Sequence, residues 1–109
     1  MQRKKGQIPH MDRIKAIERK IAKIKKTLVE IGNMRPGSLS LQPRKWGGSY
    51  GQLSYTHQGK GHTEYVPEER CKEVRRQIAN YCKFRKLTQE WINLELEACQ
   101  FKRKQLDTS

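Results

Sequence analysis

Residues able to do acid–base, nucleophilic or metal chemistry are few in this chain of 109 residues, and their order assembles no catalytic group. The histidines are His10, His57 and His62, the aspartates are Asp12 and Asp107, and no Ser/His/Asp or Cys/His arrangement is suggested by the spacing. Cys71, Cys82 and Cys99 are an odd set 11 and 17 residues apart, which fits neither a disulfide framework nor a CxxC metal site. They read as reduced, half-buried helix residues that behave as small hydrophobes. His57 and His62 can share one face of a hairpin. Two imidazoles with only Glu64 beside them nevertheless fall short of the three or four protein ligands that zinc takes. The expectation is a non-enzymatic protein with no catalytic residue, no metal and no cofactor.

The abundant chemistry is cationic. Lys and Arg number 24 against 11 Asp and Glu, a net charge of +13, and self-repulsion at that charge calls for a polyanionic partner. Only 34% of residues are hydrophobic, too few to enclose the roughly 300–1,000 Å³ pocket of a typical small-molecule enzyme. The charge is also uneven. Residues 1–45 hold 13 basic and 3 acidic residues, 46–67 hold Lys60 against Glu64, and 68–109 hold 10 basic and 7 acidic.

Within the first third, Arg13, Lys15, Arg19, Lys20, Lys23, Lys25 and Lys26 meet Asp12 and Glu18. Lys15/Arg19 and Arg19/Lys23 are like-charged pairs four apart, each costing a few tenths of a kcal/mol on an isolated helix. A helix that merely solvates itself alternates signs, as Glu68/Lys72 and Glu73/Arg76 do later in the chain. The first helix and the Arg3-Lys4-Lys5 arm are therefore the expected phosphate-facing surface, the plain alternative being a basic solvated face. A second candidate surface is Arg35, Arg44, Lys45, Trp46, Tyr50, Tyr55 and Tyr65. Basic residues interleaved with aromatics can stack bases and meet phosphates. Equally, Trp46 and the tyrosines can simply cover a hairpin in a domain with few other large residues.

Three elements must position these groups. Ile14, Ile17, Ile21, Ile24, Leu28 and Ile31 recur at spacings of 3, 4, 3, 4 and 3, a heptad seam that predicts a helix over 12–31 with Asp12 at its cap and Gly32-Asn33 at its end. Pro67-Glu68-Glu69 opens a second helix over 68–104 with apolar positions Cys71, Val74, Ile78, Tyr81, Phe84, Leu87, Trp91, Leu94, Ala98 and Phe101. The successive threes around Tyr81 and Phe84 are a stammer that rotates the apolar stripe. About 55 Å of helix against about 30 Å leaves part of the second helix to pack on the middle segment, a second copy or another protein. Between them, Gln52–His57 and His62–Val66 are β-prone runs around Gln58-Gly59-Lys60-Gly61. A two-residue loop at Gly59-Lys60 pairs His57 with His62; a three-residue loop ending in Gly61 pairs Tyr55 with Tyr65 and is slightly favoured. Ser38–Gln42 alternates too and can add a short third strand.

The blocks Met34–Gln42, Gln52-Leu53-Ser54-Tyr55, Tyr65-Val66-Pro67-Glu68, Val74–Tyr81, Phe84-Arg85, Leu87-Thr88 and Trp91 resemble a family of small prokaryotic proteins. Its pattern reads MRPGSLS, QLSY, YVPEE and NYxxFRxLT, and the likeness spans residues 30–100 of the chain. Members carry a Cys-Gly-x-x-Gly-Cys-x-Cys cluster that looks like a metal knuckle. Here Lys45–Gly51 stands in its place, shorter and without cysteine, so the metal site that the resemblance implies is lost and Trp46 and Tyr50 are expected to replace it by packing. The family brings no established activity. Its company with transposable elements is compatible with a nucleic-acid role.

The expected fold is α+β, mainly α: two long helices in an antiparallel coiled-coil-like pair with a small β-hairpin inserted between them. A basic arm at 1–11, one domain at 12–104 and a tail at 105–109 complete the expected organisation. The expected function is a non-enzymatic, cytoplasmic nucleic-acid-binding accessory protein of a mobile-element or nucleoprotein complex. DNA or RNA would be held by the phosphate backbone, and a homodimer or larger protein complex is compatible with the helical seams. No membrane role is expected, because no apolar run approaches the ~18 residues of a span. The rival is a coiled-coil oligomerisation or adaptor subunit that binds another protein.

Overall fold

The computed structural model describes residues 10–107, with side chains from Asp12 to Lys104. The order is α1 (His10–Glu30), β1 (Ser38–Pro43), β2 (Ser49–His57), β3 (Lys60–Val66), a 3-10 turn (Glu68–Arg70) and α2 (Cys71–Asp107). These residues form two compact units, one of residues up to Glu30 together with those from Lys86 on, the other of Ile31–Arg85.

In the helical unit the heptad seam of α1 is what packs: Ile14, Ile17, Ile21 and Ile24 are buried. Ile17 and Ile21 meet Ala98 of α2, with Trp91, Leu94 and Phe101 alongside. Arg13 lies over the Phe101 ring at 5.3 Å and Lys25 over Trp91 at 5.1 Å, so the two stretches run in opposite directions. Apolar stems of these cations cover the rims of the core while their charged ends stay wet.

In the sheet unit the strands are antiparallel in the order β1-β2-β3. Leu53, Val66, Cys71 and Val74 form the core, with Leu39, Tyr55 and Ile78 against it. The start of α2 thus lies on one face of the sheet. Gly51 permits that approach: a Cβ there would stand 2.7 Å from Cys71 Sγ, 2.9 Å from Leu39 Cδ1 and 3.2 Å from Val66 Cβ. Asn80 Nδ2 donates to Asn33 O at 2.9 Å and Arg35 N to Gln77 O at 3.2 Å, fastening the chain ahead of β1 to α2.

The expected helix pair with an inserted hairpin is corrected. The insert is a three-stranded sheet, because Leu39 and Leu53 pair and share one core, and a two-stranded hairpin alone is marginal in water. The first part of α2 belongs to that sheet's core, so α2 is not paired along its length with α1. The stammer at Tyr81–Phe84 falls where α2 passes from the sheet unit to the helical unit.

Both expected hairpin registers are also corrected: His57 pairs with Lys60 and Tyr55 with His62. The turn is Gln58-Gly59, with φ of 51° and 78°, the left-handed pair that matches the twist of a two-residue hairpin. Asp12 sits inside the first turn of α1, which begins at His10, and does not cap it. Of the cysteines only Cys71 is buried; Cys82 and Cys99 are exposed.

Candidate nucleic-acid interface

A strand's side chains alternate between faces, and β2 runs unbroken from Ser49 to His57, so Tyr50 and Tyr55 lie on opposite sides of the sheet. The second surface read from the sequence is therefore two clusters. On the face that receives α2, Arg35 lies over the Tyr55 ring at 4.9 Å, and Tyr55 stacks on His62 at 4.9 Å. Tyr55 Oη donates to Glu64 Oε1 at 2.9 Å, and Arg35 and Glu64 approach to 3.8 Å. Acceptance of the phenol proton by Glu64, with partial burial and the carboxylate's charge, raises the Tyr55 pKa; Arg35 opposes the shift. Arg35 is half-buried, its Nε enclosed. The guanidinium is a lid on Tyr55, positioned away from Arg44.

The other face is exposed and carries the second cluster. Arg44 lies over Tyr50 at 5.8 Å and over Tyr65 at 5.6 Å, and it donates a hydrogen bond to Tyr65 Oη. The two rings are tilted against each other at 5.4 Å. Two backbone bonds, Arg44 N to Gly48 O at 3.0 Å and Gly47 N to Arg44 O at 3.3 Å, close the β1–β2 loop. Gly47 and Gly48 turn at φ of 99° and 76°, conformations that favour glycine. Lys45 and Trp46 are thereby held at the loop's tip, with Trp46 93% exposed. The expectation that Trp46 fills the place of a metal knuckle by packing is corrected; Tyr50 alone packs, under Arg44.

The rest of this face is Ser38, Ser40 and Gln42 on β1, Gln52, Ser54 and Thr56 on β2, and Thr63 on β3. No carboxylate lies among them. Glu64, the sole acidic residue between Ile31 and Pro67, is on the opposite face, and Glu68 receives a hydrogen bond from Ser49 Oγ there at 3.3 Å. The sequence reading missed Gln52, Ser54 and Thr63; the signal that could have found them is the alternation of short polar residues along strands.

The helical unit carries its own cationic surface. At 100° per residue Lys15, Arg19, Lys23 and Lys26 fall on the side of α1 opposite the buried isoleucines, and all four are exposed. None has an ion-pair partner among the described residues. Lys20 and Arg13 flank the seam, and Arg13 is engaged with Phe101. Arg3, Lys4 and Lys5 lie outside the described residues.

Among the described residues no three His, Cys, Asp or Glu side chains gather as a metal site would require, and no helix is long and apolar enough to cross a membrane. Comparison of the chain with models of known families, with curated proteins and with solved structures finds no match.

Proposed function

We propose that this chain is a non-enzymatic nucleic-acid-binding accessory protein. The observation that carries the reading is the exposed sheet face: Arg44 fixed over two tyrosines, Lys45 and Trp46 at its end, and no carboxylate to repel a phosphate. The Lys15/Arg19/Lys23/Lys26 stripe of the helical unit supports it as a separate, sequence-independent phosphate contact. Neutralising about six phosphates would give a log–log slope of affinity against salt near −5 on duplex DNA. Fluorescence anisotropy with labelled DNA and RNA at several salt concentrations tests this, and a flat response sinks it. Reversing charge at Lys15, Arg19, Lys23 and Lys26 assigns the phosphate contacts: binding lost with helicity kept places them on α1, and binding unchanged leaves the sheet face alone.

A second reading, an oligomerising or adaptor subunit, is favoured by one observation: Ile92 and Leu96, four apart on α2, are 52% and 59% exposed. Light scattering with and without nucleic acid separates the two. A stable oligomer indifferent to nucleic acid supports the adaptor.

A further inference from the structure

We infer that the exposed sheet face takes unpaired nucleobases, with Trp46 as the ring on which a base stacks, a proposal that rests on the nucleic-acid reading above and names the form of nucleic acid. Trp46 is the residue whose place the fold itself does not explain. An indole is a large apolar body that folding ordinarily buries for the most part, yet Trp46 is 93% exposed. The loop that presents it is fixed: Arg44 N bonds Gly48 O, Gly47 N bonds Arg44 O, and both glycines turn at positive φ. A bare ring held on a closed loop has little left to order when a partner arrives.

The residues beside the ring select that partner. Lys45 precedes Trp46 and has no carboxylate partner among the described residues, and Arg44 precedes Lys45. A ring next to cations, on a face without carboxylates, suits a group that brings a π-face and a negative charge together, as a nucleotide does. In a duplex each base is covered by its neighbours, so a side-chain ring reaches a π-face there only by unstacking a step at a cost. An unpaired base offers that face freely.

The register continues the platform beyond the loop. Tyr65 is 58% exposed and lies with Tyr50 beneath Arg44, whose planar guanidinium is a second kind of surface on which a base stacks. Tyr65 pairs with Gln52 and Gln52 with Ser40, so one row across the three strands sets an aromatic ring beside two neutral groups able both to donate and to accept hydrogen bonds. Thr63, Ser54 and Ser38 form the next row. Three strands make an open shelf about 10 Å across, on which the edges of splayed bases meet these groups.

The test uses the full chain and labelled strands of about twelve nucleotides followed by anisotropy: single-stranded DNA, single-stranded RNA, an abasic strand that keeps the phosphates without the bases, and a blunt DNA duplex. Vesicles of phosphatidylglycerol are the control for an indole that seeks a membrane surface. Expected is binding of the base-bearing single strands about tenfold or more tighter than of the abasic strand. Trp46→Ala is expected to weaken single-strand binding about tenfold and to leave duplex binding unchanged, and Trp46→Phe to keep most of the affinity. Equal binding of the abasic and base-bearing strands, a Trp46→Ala loss that is absent or shared by the duplex, or binding of the duplex alone overturns the stacking proposal and leaves the nucleic-acid reading standing. Binding to none of the strands, with or without binding to the vesicles, overturns both. The abasic strand gives its answer with the unaltered protein, whatever the folding of the variants.

Discussion

Tyr55 donates its phenol proton to Glu64 across the β2–β3 pair, at 2.9 Å, on the face away from Arg44. The contact favours the neutral phenol, so the folded-state pKa lies above the ordinary tyrosine value of about 10. Stability from this pair is fully present below that value and is lost as pH rises through the folded-state pKa. A phenolate absorbance titration should show one tyrosine ionising late, and Glu64→Gln should return it toward the ordinary range. A titration unchanged by the substitution would refute the assignment.

Gly51→Ala should destabilise the protein by about 1–3 kcal/mol, because the new methyl group meets Cys71, Leu39 and Val66 in a packed core. Gly61→Ala is the control, since a Cβ there meets nothing within 4 Å. It should be neutral or stabilising by about 0.4–1 kcal/mol. Urea unfolding of the two variants measures the difference.

Ile21→Ala should cost about 2–5 kcal/mol, the range for a truncated buried isoleucine. Ile21 shares its cluster with Trp91, so in a Trp46→Phe background the remaining indole should also emit further to the red. An unshifted spectrum would argue against that packing.

Trp46→Ala should change stability by less than about 0.5 kcal/mol, as an exposed loop residue without packing partners does. In the unaltered protein most iodide-quenchable emission should come from Trp46, and binding of nucleic acid should protect it. A loss above about 1 kcal/mol would instead mean that the indole is part of a core.

The sequence made the two helices legible because their apolar spacing is long and regular. The four buried isoleucines of α1 are seam positions read directly from the spacing. The division of α2 between two cores was foreshadowed by the stammer, but only tertiary packing shows that Cys71, Val74 and Ile78 meet the sheet while Trp91, Leu94 and Phe101 meet α1. The hairpin register was hidden because Gln58 is not a residue type that advertises a positive φ, so the turn looked one residue later than it is.

The site was legible in composition and scrambled in geometry. Arg35 and Arg44 are similar in sequence context, yet Arg35 caps Tyr55 on the α2 side and Arg44 caps Tyr50 and Tyr65 on the exposed side. Positions 50 and 55 separate by parity once both belong to one strand; starting β2 at Gln52 concealed this. The neutral residues of the exposed face carry no charge signal at all, and only the register brings Gln52 beside Tyr65 and Ser54 beside Thr63.

The two units also differ in how the chain must be made to complete them. Residues 31–85 are one continuous run, and the cover of the sheet, beginning at Cys71, follows β3 after only four residues. The helical unit joins two distant runs, and Ala98 is synthesised 77 residues after Ile21, which it covers. A growing chain therefore finishes its sheet while the isoleucine stripe of α1 is still bare, the interval in which nascent proteins meet chaperones or each other. Whatever holds that stripe first must give way to residues 91–101, so it is this later-translated segment that releases α1 from outside hands.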